Sequence, residues 1–513
     1  MMLRSLKIVL LFIILARAGG ITHAQYSNKV WCWGDSAGVV FSNPITYFTS
    51  SLVSYRNSVS IADSNDSLLF YGTSTHSEAY INGWRKDGRL YDKQHQVMQN
   101  GDSLISGGWY HDMLIVPKSI IDSTFYIFNA GVSGPYFGLY YSIVDLKLNN
   151  GLGAVTQKNA QLDTTHTKDA LMAVKHGNGK DWWLVTRRWD YYSWSYDNAF
   201  YIYLVDSNGI YPQTIQNVGT FRASGGGDIT FNSNGTKFAE SDWGNLIELY
   251  DFDRCTGIIS NPVNIEMPST TGPYKYYLSS CFSPNDQFLY VLSILNPFDS
   301  AQVNQYDLLA SNITNSKMLI GTINDSALVA MMKLAPDGKI YIAALSDLPG
   351  GTYPYASTSY NTVNTHLSTI NYPDSLGSSC DFQLFSFPLG GHRTYYGLPH
   401  NPNYEMGPLI GSPCDTLSVG LTPSPAEERG AWMQAWYNHE WNMIHVNAAQ
   451  LKGKKGVLRL LDIEGRIVFE KPAEVLAGGY YTTEIYMNEL SSGVYVVNLV
   501  TDRETLSFKT GKF

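Results

Sequence analysis

Leu334-Ala335-Pro336-Asp337-Gly338-Lys339-Ile340-Tyr341-Ile342 reads as a short apolar strand, a tight turn and a second strand of aliphatic and aromatic residues. Asp-Gly suits a two-residue hairpin because both residues tolerate positive φ. Five more segments share the design: Ser60 to Tyr71 around Asn65-Asp66, Leu114 to Phe128 around Asp122-Ser123, Ala173 to Val185 around Asn178-Gly179, Ile229 to Ala239 around Asn234-Gly235, and Cys281 to Val291 around Asn285-Asp286. Their turns begin at 65, 122, 178, 234, 285 and 337, in steps of 51 to 57 residues. A four-stranded blade occupies about 40–50 residues, so each step holds one blade with long loops. A seventh turn is expected at Gly390-Gly391, between Phe385-Ser386-Phe387 and Thr394-Tyr395-Tyr396. The expected fold is all-β, a seven-bladed β-propeller over residues 25–412.

A row of blades leaves two exposed edges, which invite aggregation unless the ends meet. The strand Val30-Trp31-Cys32-Trp33, continuing to Val39-Val40-Phe41, is extra to the first turn unit and is expected in the last blade beside residues 385–398. Tandem sandwiches, the rival arrangement, would place turns every ~8–12 residues without the longer period.

Outward from the repeat, the chain start reads as residues 1–24 of a secretory signal peptide: Arg4 and Lys7, an apolar run from Ile8 to Ala16, and cleavage between Ala24 and Gln25 after Thr22-His23. The apolar run is too short to cross a bilayer core, which needs about 20 residues. At the other end, residues 413–430, with Thr422-Pro423-Ser424-Pro425, read as a linker. Residues 431–513 then carry shorter alternating strands, including Gly456 to Asp462, a turn at Glu464-Gly465, and Arg466 to Phe469. They are expected to form a small immunoglobulin-like β-sandwich.

Composition agrees with an aromatic-rich β protein: 13% aromatic, and 15% charged against about 25% in typical soluble domains. A net charge of -9 disfavours nucleic acid as a partner. The five cysteines Cys32, Cys255, Cys281, Cys380 and Cys414 show no metal-ligand spacing, and their odd count leaves at least one unpaired within the chain. Singly buried thiols are the expected state. No metal or cofactor is expected.

No catalytic centre is assigned from the sequence. Gly177-Asn178-Gly179-Lys180 lacks P-loop spacing and reads as a hairpin turn. Gly225-Gly226-Gly227-Asp228 reads as flexible chain before a strand. Tyr110-His111-Asp112 and His392-Arg393 are the most reactive-looking clusters, and loop hydrogen bonding is their ordinary use. The run after Thr186 is denser in aromatics than alternation can bury. Arg187, Arg188, Trp189, Tyr191, Tyr192 and Trp194 are therefore expected on a ligand-binding rim, stacking on sugar rings or peptide side chains, with blade packing as the competing role. Asp66-Ser67-Leu68, Asp325-Ser326-Ala327 and Asp374-Ser375-Leu376 are similar to O-glycosylation acceptors of Bacteroidota.

Trp33-Gly34-Asp35-Ser36-Ala37-Gly38-Val39-Val40-Phe41, Leu114-Ile115-Val116-Pro117-Lys118, Gly138-Leu139-Tyr140-Tyr141 and Ala173 to Trp183 resemble a family of exported, WD-repeat-like propeller proteins of Bacteroidota. The likeness spans about residues 31–404 and implies a surface protein without an assigned activity. Pro423-Ser424-Pro425-Ala426, Leu461-Asp462-Ile463-Glu464-Gly465-Arg466 and Leu490-Ser491-Ser492-Gly493-Val494-Tyr495 resemble the type A sorting domain of the type IX secretion system. That resemblance marks Gly465, Gly493, Tyr495 and, in the closing strand, Lys509 as sorting-signal positions. It implies recognition by the type IX machinery, removal of the domain, and a propeller that is released or attached to the outer-membrane surface. The expected function is a secreted or cell-surface binding or scaffold protein for carbohydrate or extracellular protein; the alternative is a secreted enzyme acting on polysaccharide or peptide.

Overall fold

The computed structural model describes residues 26–415 and 431–512, apart from 76–86, 108, 120–122, 133–135, 190–196, 223, 268–274, 296–299, 324–326, 347–359, 439–441, 450, 476–480 and 489. The predicted signal peptide, including Ala24 and Gln25, and most of the predicted linker lie outside that range. Among the described residues no helix is long and apolar enough to cross a membrane.

Five of the six repeated turns adopt one geometry, and the one predicted at Asp122-Ser123 falls on residue 122, outside the described residues. The amides of Asp66, Gly179, Gly235, Asp286 and Gly338 donate to the carbonyls of Asp63, His176, Asn232, Ser283 and Ala335 at 2.9–3.1 Å. Those five donors have φ between 61° and 80°. Only Gly, Asn and Asp enter that region at small cost, so the residue types recur because the backbone demands them.

The chain is all-β, built of many small antiparallel sheets; seven of the nine among the described residues lie before residue 390. The first holds Val30–Trp33, Asp35–Val40 and Thr46–Val53. The second is built on Ser58–Asp63, with Tyr26–Ser27 added at its edge. The other five take four consecutive strands each and begin with Met113–Pro117, Met172–Lys175, Gly227–Phe231, Lys275–Phe282 and Ala327–Leu334.

Each sheet buries its faces against its neighbours, which is why strands such as Met113–Pro117 are buried on both sides. Phe70 meets Phe125 between the second and third sheets, and Phe200 meets Phe238 between the fourth and fifth. Tyr277 and Leu289 join Ala239 and Ile247 between the fifth and sixth. Trp31, Trp33, Val39 and Phe41 of the first sheet pack on Tyr341, Ala343 and Leu367 of the seventh, so the succession returns to its start.

Two expectations are corrected here. The N-terminal strands do not complete the last sheet, which already has four strands from residues 327–388. They form their own sheet, whose first hairpin turns at Gly34, φ 59°, while Gly390-Gly391 make the expected tight turn after the last sheet, with φ 62° and 94° and His392 N donating to Leu389 O at 3.1 Å. The segment after Gly391 does reach them: Asp35 N donates to Arg393 O at 2.9 Å, and Trp33 Nε1 to Thr394 Oγ1 at 3.1 Å. Secondly, two of the five cysteines are paired. Cys255 and Cys414 form a disulfide, while Cys32, Cys281 and Cys380 are free and buried.

Residues 396–414 run along the first strands of several sheets. Pro399 pairs in parallel with Ser58, and His400 N donates to Ser58 O at 2.7 Å. Tyr404 OH reaches Ile115 O at 2.9 Å, Lys175 Nζ reaches Tyr404 O at 2.8 Å, and Lys333 Nζ reaches Asn401 O at 3.0 Å. Arg254 Nη2 holds Gly407 O at 2.7 Å before the disulfide ends the path. The second, third, fourth, fifth and seventh sheets are thereby tied to one strap.

Residues 431–512 form a three-stranded and a four-stranded sheet that share one hydrophobic core, with Ile444, Val446, Leu458, Leu460, Val497 and Leu499 at its centre.

Candidate functional site

Trp109-Tyr110-His111-Asp112 leads into the third sheet. Asp169 fixes its backbone, accepting from Tyr110 N at 3.0 Å and His111 N at 2.7 Å, and Asp112 accepts from Trp109 N at 3.2 Å. This turn presents two aromatic rings to others from distant segments. Trp243 lies 5.5 Å from Trp109 and 5.9 Å from Tyr110, and Tyr396 lies 6.3 Å from Tyr110. The Arg56 guanidinium sits 5.1 Å over Tyr110. Tyr55 stacks on Tyr395 at 4.4 Å, with Arg393 over Tyr395 at 5.1 Å. Tyr55, Arg56, Trp109, Tyr110 and Trp243 remain partly exposed.

The glycine run explains how these rings approach. A Cβ on Gly226 would stand 2.3 Å from the Trp243 ring, and one on Gly225 2.5 Å from Trp189. Two indoles lie directly on glycine backbone, so the run is a pair of ring seats rather than flexible chain. Aromatic faces with adjacent guanidinium groups can stack on sugar or planar ligand surfaces while the arginines donate hydrogen bonds.

The sequence-predicted rim is divided. Arg187 is 1% exposed and bonds to Glu240 at 3.0 Å while lying over Phe200. Its donors serve the interior, which corrects the expectation that it faces ligand. Glu240 also takes Arg222 at 2.8 Å and Lys168 at 3.0 Å, and Lys168 further pairs with Asp242. Burial works to raise the Glu240 pKa; Arg187, Arg222 and Lys168 overcome it and bring the group to about 2. Trp189 is buried on Gly225 and is likewise not a rim residue. Arg188 is exposed, pairs with Asp197 at 3.0 Å, and borders a recess of about 410 Å³ with Thr164, Thr165, His166 and Tyr201. Tyr191, Tyr192 and Trp194 lie outside the described residues. Arg393 pairs with Asp35 at 2.8 Å, and His392 Nε2 meets Thr49 Oγ1 at 3.2 Å, so this cluster joins the first sheet to the strap.

Beneath the aromatic turn, His111 points inward. A cavity of about 300 Å³ is lined by His111, Asp228, Ser280, Cys281, Lys333 and Asn401 among others. His111 Nε2 lies 3.5 Å from Asp228 Oδ1, whose other oxygen accepts from Ser279 Oγ at 3.0 Å and Ser280 N at 3.1 Å. The His400 ring is 4.8 Å from that of His111. Burial lowers both imidazole pKa values, His400 the further with His111 beside it, and Asp228 only partly opposes the shift at His111. Burial raises the Cys281 thiol to about 12, so it is no nucleophile at neutral pH. Among the described residues no group of three or more His, Cys, Asp and Glu side chains is placed to hold a metal ion.

In the C-terminal sheets, Gly465 occupies the Asp462–Gly465 turn at φ 80°. Gly493 opens the strand Gly493–Thr501, in which Tyr495 is buried with its hydroxyl donating to Ser491 O at 2.6 Å. Lys509 pairs opposite Val496.

No protein family and no curated protein matches the chain. Solved structures do. A candidate 6-phosphogluconolactonase from Bacteroides fragilis is 11% identical, with 72% of this chain and 96% of that chain covered and a TM-score of 0.42. The extracellular domain of a candidate one-component system from B. thetaiotaomicron is 11% identical, covering 96% of this chain and 57% of that one, with a TM-score of 0.35. The β-propeller domain of a Myceliophteria thermophila protein is 8% identical over 62% and 94%, with a TM-score of 0.30.

Proposed function

We propose that the seven sheets are the blades of a β-propeller, and that this protein is an exported binding or scaffold protein whose ligand is carbohydrate or extracellular protein. The observation that carries the reading is the partly exposed cluster of Tyr55, Arg56, Trp109, Tyr110 and Trp243. Stacked rings with a guanidinium offer a rigid contact surface that costs little side-chain entropy on binding. Arg188, beside its recess, is a second contact point, and Tyr191, Tyr192 and Trp194 belong to the same proposal by their place in the chain.

Export through the type IX system, with removal of an immunoglobulin-like sorting domain at residues 431–513, is the companion proposal. It is supported by the resemblance at Gly465, Gly493, Tyr495 and Lys509 and by the separate core of those strands. The decisive experiment is a glycan and extracellular-protein array probed with residues 25–415. A ligand found there should bind at least about tenfold more weakly to Trp109→Ala/Trp243→Ala, in line with hot-spot aromatics, while the variant melts as a folded protein. Unchanged binding by a folded double variant rejects this surface.

A further inference from the structure

The cavity below His111 holds a second feature that the aromatic surface does not use. Lys333 reaches it from the strand Ala327–Leu334 of the seventh sheet and retains partial exposure there. An ammonium has three N–H donors, and one of them goes to Asn401 O at 3.0 Å. Among the described residues no carboxylate forms an ion pair with it. Asp228, the neighbouring acid, is engaged by Ser279, Ser280 and His111. Ser280 Oγ, in the same lining, is buried without a hydrogen-bond partner in the protein.

Two more deeply buried lysines have partners that Lys333 lacks, carboxylates for one and an aromatic ring for the other. Lys168 pairs with Glu240 and Asp242. Lys175 bonds to Tyr404 O and lies 5.4 Å from the Trp182 ring. A largely desolvated ammonium with no carboxylate in direct ion-pair contact is costly, and an anion entering the cavity would offset that cost.

We propose that this cavity binds a small organic carboxylate, with the Lys333 ammonium as its counter-ion and Ser280 Oγ as a further donor. One cation matches one negative charge, and the volume of about 300 Å³ lies at the lower end for small-molecule pockets. The lining runs from buried His111 and Asp228 to exposed Asn403 and Glu405, which gives the ligand a way in. Burial also brings the Lys333 pKa down to about 8, with Cys281 and Asp228 opposing, so the free site holds its proton less firmly than an exposed lysine.

The test is calorimetric titration of the full chain at pH 7 with acetate, L-lactate and succinate, with inorganic phosphate and chloride as the other anion sources. Saturable 1:1 binding of at least one carboxylate is expected, tighter than phosphate or chloride, and at least tenfold weaker in Lys333→Met. The proposal is overturned if no carboxylate binds, if phosphate or chloride binds as tightly, or if Lys333→Met binds equally well. Should that variant misfold, amine acetylation of the wild type followed by mass spectrometry decides. The saturating carboxylate must slow modification of Lys333 relative to exposed Lys180, and equal rates overturn the assignment.

Discussion

At the scale of single residues, Glu240 and the glycines at 225–227 show where a side chain's surroundings govern its role. Glu240 is surrounded by Arg187, Arg222 and Lys168 with no exposure of its own. Glu240→Gln leaves those cations under-compensated and should cost about 3–5 kcal/mol in urea denaturation, the range for a broken buried ion pair. Its folded pKa is depressed from 4.5 to about 2. The stabilisation it contributes is therefore complete above pH 4.5 and lost as pH falls towards 2. Acid titration of the wild type against Glu240→Gln should show the difference between them shrink across that window. Gly226→Ala should displace Trp243, reducing ligand binding by the aromatic cluster at least about tenfold; near-wild-type affinity in a folded variant would mean the ring seat is dispensable. Arg187 illustrates why two of the six predicted rim residues prove to be interior. Alternation names the two faces of a strand, but in a sheet enclosed between neighbours both faces are interior.

Elements divide differently. The hairpins were legible because their chemistry is local: a carbonyl, an amide three residues on, and one residue of positive φ. The strap at residues 396–414 was not legible, since nothing in Tyr396-Gly397-Leu398-Pro399-His400-Asn401 announces pairing with Ser58 or reception of Lys333. Its covalent end is Cys414, and a bridge spanning 159 residues restricts the unfolded chain. Cys255→Ser/Cys414→Ser should lower stability by about 2–5 kcal/mol, measured by denaturation. Amide exchange should rise first along residues 404–414, and uniform protection there would show that the strap is held without the bond. The turn at Gly390-Gly391 forms as its glycines require, but the hairpin at Gly34 is additional, because the first strands need their own sheet once the last sheet is full.

For the whole molecule, two sets of cores matter. The C-terminal core contains only residues from 431 onward, and none of the other clusters includes a residue beyond 406. Calorimetry should resolve two transitions, and removal of residues 416–513 should delete one and leave the other in place; a single shared transition would show that the two parts unfold as one unit. What the sequence by itself determined is the periodic part: all-β construction, the tight turns beginning at 65, 178, 234, 285, 337 and 390, and a separate β-rich end after residue 430. Strand period and turn conformation depend on neighbours a few residues away, so they are written locally. Only the tertiary structure decided which residues meet across the succession of sheets: Trp109 with Trp243, Arg187 with Glu240, Lys333 with Asn401, and Cys255 with Cys414. Those meetings depend on how every intervening sheet packs, and no short stretch of chain carries that information.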